Sequence, residues 1–197
     1  MPAYDNAPQE ESPVKILIAG GFGVGKTTLV EAISEIEPLR TEERLTAAGA
    51  GVDDLDGIEA KTATTVAMDF GRITLSDAGV VLYLFGTPGQ ERFWFMWDDL
   101  LNGALGAIVL VDTRRLDRSF AAVDFFENRG LPFVVGANCF NGEQLYTAEE
   151  IRAALHLGNP DTPILMLDAR SHDDVRGALL ALMDLLIAKA QAAAAQV

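Results

Sequence analysis

Short apolar runs and longer stretches of helical period take turns along this chain. Residues 14–19 (VKILIA) form a continuous apolar run, as in a strand buried on both faces. Residues 26–36 (KTTLVEAISEI) put Leu29, Ile33 and Ile36 on one helical face, with Pro38 beyond the end. Residues 64–75 and 80–86 flank the turn sequence SDAG, which predicts an antiparallel hairpin. After it the pattern alternates: a helix around 91–102, a strand at 104–112, a helix at 114–129 that stops at Gly130, and a strand at 132–138. A helix at 147–155 opening on Thr147, a strand at 163–169 and a closing helix at 171–190 capped by Ser171 complete the series. Six strands, one antiparallel hairpin and five helices predict an α/β fold: a doubly wound, mostly parallel sheet that binds ligands beyond the carboxyl ends of its strands.

Residues 40–62 break this rhythm. They are rich in acid, Ala and Gly, and predict a mobile loop with one short helix near 42–48; a loop of that length usually has a function. A chain of 197 residues, 49% hydrophobic, supports one core, so a single domain over 14–190 is expected between tails at 1–13 and 191–197. Charge then narrows the partners. Twenty-nine acids against 15 Lys+Arg give a net charge of -14, which disfavours nucleic acid and anionic membrane surfaces. No bilayer-spanning segment and no secretory signal are expected, so membrane contact would be peripheral, through a partner. Cys139 is the only cysteine, which excludes an intramolecular disulfide and fits a cytoplasmic protein.

The candidate chemistry begins at residues 20–27, GGFGVGKT, which fit G-x-x-x-x-G-K-[ST]. In that pattern the backbone amides of Gly20, Gly21, Phe22, Gly23, Val24 and Gly25 turn inward around phosphates. Lys26 neutralises the β- and γ-oxygens, the Thr27 hydroxyl ligates Mg²⁺, and Thr28 lies beside it. A glycine-rich turn can match by chance, but here an apolar strand precedes the match and an amphipathic helix follows, as the mechanism needs.

Beyond this loop the chain resembles the Ras-like small GTPases over nearly all of residues 14–190. TTVAMDF (64–70) is similar to the first-switch Thr-Ile-Gly-Val-Asp-Phe of Rab-type members and puts Thr65 at the γ-phosphate-sensing threonine. GTPGQE (86–91) is similar to the second switch, with Gly89 at the γ-phosphate amide and Gln90 at the water-positioning glutamine. NCFN (138–141) falls where Asn-Lys-x-Asp reads the base, and DAR (168–170) where Ser-Ala-Lys belongs. The nearest likeness is to the prokaryotic branch, above all the actinobacterial conservon GTP-binding proteins, relatives of the gliding-polarity GTPase MglA. The resemblance implies a GTP/GDP switch with Mg²⁺ held by Thr27 and Thr65, catalysis by Gln90, Lys26 and Thr65, and slow hydrolysis. It also implies base contacts from Asn138, Cys139, Asn141, Ala169 and Arg170, and a roadblock/LC7-type regulatory partner.

Three departures change what to expect. Gly86 stands where the family's magnesium carboxylate belongs, so the ion should bind weakly in the diphosphate state and EDTA should speed GDP release only slightly. Asp112 has two readings, a cap for the next helix or a substitute ligand through water. Asn141 replaces the Asp that accepts two guanine N–H bonds; an unpaired buried donor costs ~1–3 kcal/mol, so guanine preference should soften. Asp168 and Glu143 are the fallback base readers. Pro88 stiffens the loop before Gly89, and Phe93, Trp94, Phe95 and Trp97 are too many rings for one buried face, so some should form a partner surface around Trp94. A nearly non-hydrolysing scaffold and a P-loop ATPase are the alternative functions.

Overall fold

The computed structural model describes residues 11–45, 64–90 and 93–195. The strands are β1 (Ser12–Gly20), β2 (Leu39–Leu45), β3 (Thr64–Leu75), β4 (Val80–Gly86), β5 (Ala104–Val111), β6 (Phe133–Asn138) and β7 (Ile164–Leu167). The helices are α1 (Lys26–Ile33), α2 (Phe95–Leu101), α3 (Phe120–Arg129), α4 (Ala148–Leu155) and α5 (His172–Ala194). The strands form one sheet in the order β2-β3-β4-β1-β5-β6-β7. β1 runs parallel to both β4 and β5, and the parallel order continues through β6 to β7. β3 is antiparallel to β4 and to β2, the expected hairpin plus one further strand.

Burial on both faces explains the continuous apolar runs. Ile16 and Ile18 of β1 join Leu29 and Val30 of α1 and Val175, Ala178, Leu179 and Leu182 of α5 in one core layer. Leu17 and Ala19 point the other way, into a layer with Trp97 of α2, Phe126 of α3 and Ile151 of α4. The doubly wound α/β architecture read from the sequence is therefore the one found. Caps act as expected: Thr147 and Glu150 form a reciprocal capping box on α4, and the Ser171 hydroxyl accepts from the Asp174 amide on α5.

Three details differ. Residues 40–45 are strand, not loop or short helix: LRTEERL pairs along β3 from Leu39↔Phe70 to Leu45↔Thr64. The rest of that expected loop, residues 46–62, lies outside the described residues, as do most of the expected N-terminal tail and residues 91–92. The helix expected from 114 starts at Phe120, because residues 113–119 wind as a 3-10 segment broken at Arg115 (φ -147°, ψ 52°). Finally, α5 runs to Ala194 and, with 23 residues, is long and apolar enough by composition to cross a membrane, which the sequence reading did not anticipate. Its buried residues Val175, Ala178, Leu179 and Leu182 pack in the core layer with β1 and α1, and the rest of the helix is largely outside that core.

Candidate functional site

β1 lies between β4 and β5, where the strand order changes direction, so a cleft opens above its carboxyl end. Residues 21–25 turn around this point between the end of β1 and the start of α1 at Lys26. Two glycines are needed for contact as well as conformation. A Cβ on Gly20 (φ +135°) would stand 2.4 Å from the Leu110 carbonyl oxygen, and one on Gly25 (φ +109°) 2.7 Å from Asn138 Nδ2. α1 has no side-chain cap, so its first amides face the loop, the usual arrangement of an anion site.

Lys26 is 9% exposed and its Nζ donates to the Gly20 carbonyl at 2.9 Å and the Gly21 carbonyl at 2.7 Å. Burial lowers its pKa to about 8, an effect partly offset by the charge of Asp69. The Thr27 hydroxyl donates to Asp69 Oδ2 at 2.6 Å. Asp69 lies on β3 beside Gly86 of β4: Phe70 pairs with Phe85, and a Cβ on Gly86 would stand 3.1 Å from Asp69 Cβ and Oδ2.

The second expected switch closes the same cavity. Its lining of about 330 Å³ includes Lys26, Thr27, Asp69, Thr87, Gly89 and Gln90. Gly89 is pressed onto the phosphate loop, since a Cβ there would lie 2.6 Å from Lys26 Nζ and 2.9 Å from Phe22 Cα. The Pro88 carbonyl accepts from the buried indole of Trp97 at 3.0 Å, which ties this loop to the core. Of the four rings expected to share duties, Phe93 and Trp97 are buried, Trp94 is half-buried against Trp97, and Phe95 is 62% exposed. The outward ring is thus Phe95 rather than Trp94. Thr65 lies in β3 opposite Arg44, four positions before Asp69; its side chain is outside the described part.

A smaller cavity next door is lined by Gly23, Gly25, Thr28, Asn138, Phe140, Asn141, Asp168, Ala169 and Arg170. Asn138 ties its walls together. Its Nδ2 donates to the Val24 carbonyl at 2.9 Å and its Oδ1 accepts from the Ala169 amide at 3.1 Å. Asn141 is exposed in a left-handed turn (φ 60°). The Cys139 amide donates to the Leu167 carbonyl at 2.7 Å, and burial pushes the Cys139 thiol up, so it contributes no charge. The Asp168 carboxylate is held by the Arg170 guanidinium at 2.6 Å, which lowers its pKa to about 2. Asp112 caps the 3-10 segment by accepting from the Arg114 amide, and the Arg114 guanidinium binds the same carboxylate while stacking on Phe140 at 3.6 Å. Of its two readings, the cap is the one found.

Sequence reasoning therefore brought Lys26, Thr27, Gly89 and Gln90 together and missed Asp69 and the Trp97–Pro88 bond. A signal for Asp69 was available: a lone acid between Met68 and Phe70 on a strand where alternate positions turn inward. An inward carboxylate needs a partner.

The comparisons fit this geometry. The model of a family described as "Conserved hypothetical ATP binding protein" matches residues 18–188. The chain belongs to that family. An uncharacterised protein of Methanocaldococcus jannaschii is 28% identical over 142 residues, 71% of this chain and 79% of its own length. Human Ras-related protein Rab-7b is 30% identical over 128 residues, 65% of this chain and 55% of its length. Rab-32C of Dictyostelium discoideum is 26% identical over 138 residues, so the chain spans about half of these Rab relatives (53% of the latter). In structure, the G domain of the Thermotoga maritima FeoB iron transporter superposes with a TM-score of 0.57 over 90% of this chain and 99% of its own, at 17% identity. The family member described here thus has the Ras-like P-loop fold of a G domain.

Proposed function

We propose that this chain is a guanine-nucleotide switch that binds GTP and GDP, hydrolyses GTP slowly, and reports the nucleotide state to a protein partner in the cytoplasm. The observation that supports the reading is the seat of Gly89 against Lys26 and Phe22, on the phosphate loop, where a second-switch amide that senses the terminal phosphate would be expected. The loop amides and Lys26 would hold the phosphates, and Thr27 with Thr65 the magnesium ion. The ion, when bound, neutralises charge on the phosphate oxygens. Gln90 lines the cavity and would orient the attacking water for in-line displacement. Thr65 pairs with Arg44 in the β2–β3 ladder, which continues directly to Asp69 at the site. Arg114 is committed to Asp112 and Phe140, which supports the reading that it supplies no finger to the site and that hydrolysis is slow.

The partner is expected to be of roadblock/LC7 type, by the likeness to conservon GTP-binding proteins. Phe22 (69% exposed) and Phe95 (62% exposed) on either side of the switch loop are the side chains it would meet.

A second reading, an adenine nucleotide, is favoured by the description of the family and by Asn141, whose amide cannot accept both guanine N–H bonds. Parallel titrations of the native protein and Asn141→Asp with labelled GTP and ATP separate the two. The guanine reading expects a modest native preference for GTP, which Asn141→Asp widens by about tenfold or more, the effect of pairing one buried donor. A native preference for ATP that Asn141→Asp leaves unchanged contradicts it.

A further inference from the structure

We propose that Asp69 is the magnesium carboxylate of this protein, supplied by β3 in place of the side chain that Gly86 lacks on β4. The inference rests on the nucleotide reading above and adds a residue to it. Asp69 is only 8% exposed, yet among the described residues it forms no salt bridge; its Oδ2 accepts the Thr27 hydroxyl at 2.6 Å. A hydroxyl that ligates a cation keeps its proton and needs an acceptor for it, while its lone pairs face the metal. Asp69 is that acceptor. Magnesium is commonly held by one or two carboxylates together with phosphate oxygens and waters, so a single carboxylate beside Thr27 suffices.

Two neighbours support the exchange. Gly86 leaves the room that Asp69 uses: a Cβ at 86 would stand 3.1 Å from both Cβ and Oδ2 of Asp69, so the two strands cannot both carry a carboxylate here without displacement. Thr87 is 2% exposed, lines the same cavity, and its hydroxyl has no partner among the described groups. A buried hydroxyl left unpaired marks a polar place where a metal-bound water would complete its hydrogen bonds. The carboxylate has moved to the adjacent strand while the place it serves, next to Thr27, has stayed. This reverses the weak EDTA response expected from Gly86 alone. A merely structural Asp69, present to offset buried Lys26, predicts that the magnesium effect survives its removal.

The test follows release of fluorescently labelled GDP from the full chain, in millimolar Mg²⁺ and in excess EDTA. For the native protein EDTA accelerates release by about tenfold or more, the scale of one charge-assisted interaction. Asp69→Asn, which keeps the acceptor oxygen but not the charge, releases in Mg²⁺ at about the native EDTA rate. Gly86→Asp alone gains no magnesium dependence beyond the native one, because Asp69 crowds its Cβ at 3.1 Å. The reciprocal exchange, Asp69→Gly with Gly86→Asp, regains an EDTA response that Asp69→Gly lacks. If Asp69→Asn fails to fold, as judged by its thermal transition, the exchange decides alone: a regained response supports the assignment and none overturns it. A native protein indifferent to EDTA, or an Asp69→Asn variant with the native acceleration, overturns the assignment and leaves nucleotide binding standing. Failure of the native protein to hold labelled GDP or labelled ADP overturns the nucleotide reading, and the assignment with it.

Discussion

Lys26 is a buried lysine whose ammonium is disfavoured by desolvation and supported by the charge of Asp69. Its pKa is lowered to about 8, against an ordinary 10.5, with desolvation as the main cause. Between those two values the unfolded chain binds the proton and the folded chain does not, so stability rises with pH across that window. Below about 8 the lysine is charged in both states and the cost, at most about 3 kcal/mol, is present in full. Urea unfolding of the nucleotide-free protein from pH 7.5 to 10 therefore shows a rising slope that Lys26→Met lacks; equal slopes would mean that Lys26 carries no such cost. A phosphate bound against the ammonium raises the same pKa, so triphosphate affinity declines above about pH 8, and Lys26→Ala loses triphosphate binding while keeping its fold. The place of Lys26 was legible because backbone geometry and charge are both written into GGFGVGKT. The place of Asp69 was not, since only the β3–β4 register brings it beside Thr27 and Gly86.

At the scale of elements, the second-switch loop is tied to α2 because the Trp97 indole donates to the Pro88 carbonyl at 3.0 Å. Trp97 is fully buried among Trp94, Phe125 and Phe126, so the bond connects the phosphate side of the cavity to the core. Trp97→Phe leaves that carbonyl short of a partner and should cost about 1–3 kcal/mol in chemical unfolding. The native protein should change its tryptophan emission between GDP and a slowly hydrolysed GTP analogue, and the same variant should lose that change. An unchanged emission response in Trp97→Phe would place the reporter at Trp94 instead. Phe95→Ala, by contrast, leaves folding and nucleotide affinity within experimental scatter and weakens a roadblock-type partner in pull-down; full partner binding would remove Phe95 from that surface. Most element boundaries were legible from periodicity. β2 was not, because LRTEERL lies at the sheet edge, where strands carry charges instead of an apolar pattern. The start of α3 was misplaced because Arg115 breaks the helical backbone inside a stretch whose composition reads as helix.

For the whole molecule, the sheet, its two core layers and the cleft above β1 make a nucleotide site of the G-domain kind, and the family match at 18–188 covers its elements except residues 12–17 of β1 and 189–194 of α5. The identity of the base decides the account, since Asn141 and the description of the family point one way and the likeness to Rab proteins the other. The direct measurement is to purify the protein without added nucleotide, denature it, and identify the nucleotide released by anion-exchange chromatography. The account predicts guanine nucleotide, chiefly GDP with some GTP. ADP or ATP in the released fraction, with no guanine nucleotide, would contradict it.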